Sequence, residues 1–159
     1  MLNVEILCVG RVNADFIKKG IEEYIKRTSP YAKINVVELA EVKQNDAGET
    51  GERVVIEAEG ERILSCLEKK NAAVVAMCVE GKKLSSKGLS EYIEKTMNVA
   101  SKIVFVIGGS LGLSDAVKKR ADMCLSMSDM TFPHQLFRLM LCEQLYRAIT
   151  IINNIKYHK

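Results

Sequence analysis

Proline is almost missing from this chain, with two residues in 159, and glycine is modest at ten. That composition leaves no room for a long disordered linker. No apolar run reaches the ~18 residues that a membrane span needs. The opening residues, Met-Leu-Asn-Val-Glu-Ile-Leu, lack a basic segment ahead of the apolar run. They read as a strand and not as a secretion signal, so a cytoplasmic address is expected. Histidine is scarce too, with two residues, which leaves a zinc site few ligands. No metal is expected. Excess charge of one sign is also lacking. The net charge of +3, from 23 basic and 20 acidic residues, is too small to indicate nucleic acid and fits a mixed solvated surface. The five cysteines, Cys8, Cys66, Cys78, Cys124 and Cys142, form no C-x-x-C pair. Most sit in apolar runs, where a thiol behaves as a small hydrophobe, so reduced core cysteines are expected.

What is present is a composition, 48% hydrophobic and 27% charged, of one folded domain spanning residues 1–159. Leu2–Val9 reads as a strand closed by Gly10. Asn13 is placed to cap a helix running to about Thr28, with Phe16, Ile17, Ile21, Tyr24 and Ile25 at helical spacing. Pro30 ends it. Ile34–Leu39 is β-branched and reads as a strand. Residues 40–51 are polar and form a loop, and a helix follows from about Gly51 to Lys69. Ala72–Val79 is an unbroken apolar run that suits a strand buried on both faces, with Gly81 as its stop. A helix from about Ser86 to Asn98 precedes a second such strand, Lys102–Ile107. Ser114 caps a short helix with Asp115 in its first turn. Met123–Ser126 is a brief strand, and Pro133 opens a long helix to about Asn153. Strict alternation of strand and helix predicts an α/β fold: a mostly parallel sheet with helices on both faces.

Ligands of such sheets bind past the carboxyl ends of the strands. Three segments qualify: Met77 to Lys82, Gly108 to Gly112, and Met127 to Phe132. The glycines invite a phosphate-loop reading, but neither G-x-x-x-x-G-K-[ST] nor G-x-G-x-x-G is present. They suit either a tight turn or a ligand other than a nucleotide phosphate. The third segment presents Met127, Met130 and Phe132, with Ser128, Asp129 and Thr131 as its polar groups. It either fills core or accepts an adenine ring and a thioether.

The last helix is apolar around most of its circumference, from Leu136 and Phe137 to Ile151 and Ile152. Such a helix needs cover on more than one side. A second copy of the chain supplies it most simply, although a fully internal helix would look the same. Arg138 and Arg147 lie among these apolar residues, either snorkelling or meeting a phosphate or carboxylate. The residues Lys156-Tyr157-His158-Lys159 taken alone read as a frayed end.

Taken together, Val-Ile-Gly-Gly-Ser-Leu-Gly-Leu at 106–113, Thr-Phe-Pro-His-Gln at 131–135, Arg138, Glu143-Gln144-Leu145-Tyr146-Arg147-Ala148 and Tyr157-His158-Lys159 resemble the ribosomal RNA large subunit methyltransferase H family, a branch of the SPOUT methyltransferases. The resemblance covers the whole chain. It implies a C-terminal part tied in a deep trefoil knot, which element order alone does not reveal. It implies a homodimer with S-adenosylmethionine held by Met77, Gly108 and Met127, Ser128, Asp129, Met130, Thr131 and Phe132. Leucine often stands in the family where this chain has Met77, a swap that keeps shape and polarity. The implied substrate is a pseudouridine of 23S rRNA in the assembled ribosome, methylated at N3.

Such a transfer needs alignment of N3 on the methyl group and removal of the N3 proton. His134, at a helix N-terminus where the dipole disfavours a cation, is a candidate to accept it. Tyr157 and His158 are candidates to close over the base, with Arg147 holding RNA or the tail; in the family the tail of one subunit reaches the other's donor pocket. Two rival readings are a doubly wound nucleotide-binding enzyme and a non-catalytic ribosome-associated protein. The missing phosphate fingerprints weigh against the first and the missing basic patch against the second.

Overall fold

The structure, a computed structural model, describes residues 1–159. Ten elements alternate: β1 (Leu2–Val9), α1 (Asp15–Thr28), β2 (Ala32–Leu39), α2 (Glu49–Glu68), β3 (Ala73–Lys83), α3 (Ser86–Met97), β4 (Lys102–Ile107), α4 (Asp115–Arg120), β5 (Met123–Ser126) and α5 (His134–Ile152). The strands form one sheet in the order β2-β1-β4-β3-β5. Every pairing in it is parallel.

Side chains sort to the two faces with the two-residue period of a strand. Val4, Ile6, Cys8, Ile103, Phe105 and Ile107 pack with Ile17 and Ile21 of α1, Ile93 of α3, and Leu141 and Leu145 of α5. Leu7, Val9, Val104 and Val106 pack on the other face against Ile63 and Leu67 of α2 and Val117 of α4. Helices therefore cover both faces. β4 lies between β1 and β3 and is buried from Ile103 to Ile107, which is why its sequence shows no polar alternation. Glu5, buried in β1, is held by Lys70 and by Lys102, the latter at 3.3 Å.

Several element ends differ from the sequence reading. Ala14, not Asn13, occupies the cap position of α1, and no side chain caps it. The Asn13 N–H instead donates to Gln135 Oε1 at 2.9 Å, tying the loop after β1 to the first turn of α5. α2 begins at Glu49, two residues ahead of the expected start, after Gly48 at φ 86°. Gly81 does not stop β3. The strand runs on to Lys83, and its register against β5 shifts between Met77 and Lys82, as at a bulge. A Cβ on Gly81 would lie 2.7 Å from the backbone of Cys124 and Leu125, so this glycine admits a neighbouring strand. Ser85 caps α3, accepting from the Gly88 N–H at 3.0 Å, and Ser114 caps α4, accepting from the Val117 N–H at 3.3 Å.

All five thiols are free. Burial pushes Cys8 up to about 11 and Cys142 up to about 12, which leaves both as inert core groups. In α5, Leu141, Cys142, Leu145, Ala148 and Ile149 are buried on the sheet side. Leu136, Phe137, Leu139, Met140, Ile151 and Ile152 are only half-buried. No helix is long and apolar enough to cross a membrane.

Candidate active site

The irregular stretch of β3 and the carboxyl ends of β4 and β5 open onto one cavity of about 280 Å³, near the lower end of the ~300–1,000 Å³ usual for small-molecule sites. Three segments build its wall: Met77 to Glu80, Ile107 to Leu113 except Ser110, and Ser126 to Phe132 except Asp129. His134 and Phe137 close it from the start of α5, and Lys118 reaches it from α4.

The glycine turn after β4 is specified by its residues. Gly112 sits at φ +85°, a conformation that other side chains rarely adopt. Its N–H donates to the Gly109 carbonyl at 3.1 Å and closes the turn. A Cβ on Gly108 would lie 2.7 Å from the Gly112 carbonyl, so no side chain fits there. The segment after β5 holds its path through serine hydroxyls. Ser126 Oγ donates to the Ser128 carbonyl at 3.0 Å, and Ser128 Oγ accepts from the Met130 N–H at 3.0 Å. Met130 and Val79 are largely exposed, leaving apolar surface at the rim.

Charges at this end of the sheet come mostly in pairs. Glu80 and Lys118 form an ion pair; Lys118 holds the Glu80 carboxyl below its usual range, and Glu80 raises the Lys118 ammonium. His134 Nε2 lies 3.8 Å from Glu41 Oε1. Glu59 of α2 is the exception. It is 5% exposed, and its Oε1 accepts from the Val42 N–H at 3.2 Å. Its Oε2 is buried without a partner behind Gly109, where a Cβ would approach it to 3.0 Å. Burial, foremost, pushes its carboxyl above the usual range.

The structure brings Met77, Gly108, Met127, Ser128, Met130, Thr131, Phe132 and His134 around the one cavity. Asp129 does not line it; the side chain is exposed and pairs with Lys83. Arg147, Tyr157 and His158 lie apart from it. Arg147 is thirteen positions beyond His134 on α5, roughly 20 Å along the helix axis. There its Nε and Nη2 donate to Glu143 Oε1 at 3.1 and 2.5 Å. Tyr157 donates its hydroxyl to the same oxygen at 3.2 Å and stacks edge-on to Tyr146 at 4.8 Å. The Arg147 guanidinium sits 4.8 Å from the Tyr157 ring centre, and its Nη1 is 3.4 Å from His158 Nδ1. Burial, a hydrogen bond with Tyr24 and the charge of Glu143 push the Tyr157 phenol up to about 12. Its hydroxyl is accordingly a donor here, to Glu143. Arg138 meets neither phosphate nor tail: it is 1% exposed and donates to Glu38 Oε1 at 2.6 Å and to the Gly10 carbonyl at 3.1 Å.

Two charged residues at the site went unread in the sequence. Lys118 lies in a six-residue helix, too short for a periodic signal. Glu59 had one: Val55, Glu59, Ile63 and Leu67 recur every four residues and all are buried. The surrounding Glu-Ala-Glu-Gly-Glu-Arg hid that stripe in a solvated-looking run.

The family described as predicted SPOUT methyltransferase matches residues 2–158. A protein of Bacillus pumilus named ribosomal RNA large subunit methyltransferase H is 48% identical over 160 residues, covering 99% of this chain and 100% of that one. Proteins of the same name from Clostridium botulinum and Fusobacterium nucleatum are 45% and 42% identical at the same coverage. Among solved structures, a "probable methyltransferase" from Bordetella pertussis superposes with a TM-score of 0.56 at 10% identity, covering 92% of this chain and 93% of that one. A "probable methylase family protein" from Haemophilus influenzae gives 0.55 at 13% identity, covering 98% and 70%. At those identities the structural likeness speaks for the fold.

Proposed function

Since the chain belongs to the SPOUT methyltransferase family and is a methyltransferase of large-subunit ribosomal RNA, we propose that it moves the methyl group of S-adenosylmethionine to N3 of a pseudouridine in 23S rRNA of the assembled ribosome, working in the cytoplasm as a homodimer with a trefoil-knotted C-terminal part. One observation carries the donor assignment. Glycine-bearing and methionine-bearing segments of three neighbouring strands and the turns after them enclose a mainly apolar cavity. Apolar walls with a few backbone groups match an adenine ring and a thioether better than a polyphosphate. The glycine cradle fits as well, since Gly108 keeps backbone bare where a Cβ would collide with Gly112.

When bound, the donor supplies an electrophilic methyl on a positive sulfonium. The chain does the rest. Met77, Gly108, Met127, Ser128, Met130, Thr131 and Phe132 hold and orient the donor, while Asp129 stays outside the cavity. Phe132 and Phe137 help exclude water, which favours a transfer in which opposite charges cancel. His134 Nε2, with Glu41 beside it at 3.8 Å, takes the proton that N3 loses. Arg147 lies far along α5 from its own chain's cavity, with Tyr157 and His158 packed against it from beyond the helix end, and in this reading the three complete the cavity of the partner subunit.

Ribosomes from a strain lacking the gene, given protein and labelled donor, should accept one methyl group on the large-subunit RNA. Calorimetry should show S-adenosylhomocysteine binding and no binding of ATP or NADH. Methyl acceptance by no ribosomal RNA, or binding of ATP in place of the thioether, would sink the reading.

A further inference from the structure

Glu59 is a buried carboxylate that the transfer chemistry above does not use. Its placement is costly. It lies 5% exposed in α2, with one oxygen held by the Val42 N–H and the other without any partner. The free oxygen faces Gly109, one of the residues of the glycine turn that lines the cavity. The other carboxylates near the cavity have cationic or titratable neighbours: Glu80 has Lys118, Asp129 has Lys83, and Glu41 lies beside His134. Arg62, the cation nearest in sequence, donates to the Ala40 carbonyl from an exposed position. A buried, unpaired carboxylate is destabilising unless something offsets it. A cation entering the adjacent cavity would do so, because a charge in a dry setting acts strongly across several ångströms.

We propose that Glu59 is a specificity-determining residue that acts through the glycine turn, making the cavity prefer a cationic sulfonium ligand over the neutral thioether left after methyl transfer. This rests on the donor reading above. Glu59 touches neither ligand. Its role is to set the charge behind the Gly108 to Gly112 turn, so that product leaves and fresh donor enters. Gly109 takes part by staying bare, since a side chain there would press the carboxylate away.

The test compares dissociation constants for S-adenosylmethionine and S-adenosylhomocysteine by calorimetry, in wild type and Glu59→Gln. Glutamine keeps the shape and the acceptor for Val42 but removes the charge. Sulfonium affinity should fall roughly tenfold, the size expected of one partly screened charge, while thioether affinity stays within about twofold. An unchanged ratio of the two constants overturns the proposal. Should the variant fail to fold, the wild type decides. Glu41, Arg62, His134 and the Val42 N–H are the groups that act on Glu59. Acidification from about pH 8 to about pH 4.5 protonates its carboxyl, so the preference for sulfonium should decline. Because His134 is one of the groups acting on Glu59, the series is repeated on His134→Gln, where the decline must persist; a flat ratio there overturns the proposal too. If the wild type binds neither ligand, the donor reading itself has failed, which is a separate result.

Discussion

Arg138 and Glu59 are both charged and both buried, and they should respond to mutation in opposite ways. Arg138 has partners, the Glu38 carboxylate and the Gly10 carbonyl. Through them it joins the ends of β1 and β2 to α5. Arg138→Ala removes both bonds and opens a void, which should cost about 3 kcal/mol of stability in urea unfolding. Arg138→Met keeps most of the volume and should recover part of that loss. An Arg138→Ala protein as stable as wild type would show that the clamp is not structural. Glu59 lacks the partners that Arg138 has. Its folded-state carboxyl titrates above the usual range because of burial. Its linkage to folding is therefore favourable below the unfolded-state value and lost as pH rises through the folded-state value. Glu59→Gln should then be the more stable protein near neutrality, by a higher melting temperature, with the gap closing towards about pH 4. A variant equally stable across that range would mean the carboxylate carries no penalty. Paying stability for a charge beside the cavity is what a functional residue does.

At the scale of elements, hydrophobic period carried most of the information. Leu2–Val9, Lys102–Ile107 and Met123–Ser126 are strands over the residues their apolar runs mark. The first two are legible because central parallel strands are buried on both faces and need no polar alternation, whereas β5 is a short edge strand read from its apolar residues alone. Local chemistry was less reliable. Asn13 looks like a cap by residue type, yet its backbone is engaged by Gln135, 122 positions away in the chain. Gly81 looks like a stop, yet the reason for glycine there is the β5 backbone, which only the tertiary arrangement supplies. Both misreadings have one cause: a residue suited to a local role was serving a distant contact. The site divides in the same way. The segments after β4 and β5 were legible from their position at strand ends and Met77 to Glu80 from the apolar run it closes, although β3 continues past it; Lys118 reaches the cavity from α4, and Glu59 sits behind the glycine turn on α2. Gly81→Ala tests the strand contact. Forcing β5 away from β3 should cost roughly 1–3 kcal/mol. It should also weaken donor binding, since β5 leads directly into Met127 to Phe132. Unchanged stability would show that the β3–β5 approach has slack.

For the whole molecule, the decisive feature is the separation along α5 of His134 at one end and the Arg147–Tyr157–His158 cluster at the other. If both groups act on one substrate, a single chain cannot bring them there, and the half-buried apolar side of α5 supplies a surface on which a second chain can pack. The arrangement makes a quantitative prediction with two individually inactive proteins. Gly108→Val blocks the glycine turn but leaves the Tyr157–Lys159 segment intact. Deletion of Tyr157–Lys159 leaves the glycine turn intact. Unfolded together in equal amounts and refolded, they should form mixed dimers in which one site of two joins an intact turn to an intact tail. Half of the dimers are mixed and each has one working site, so methylation should return to roughly a quarter of the wild-type level. If the tail instead serves its own chain, no mixed dimer contains a complete site, and the mixture should stay as inactive as its parts. A tail with no role in transfer gives a third result, because the deletion protein alone would then be active before any mixing.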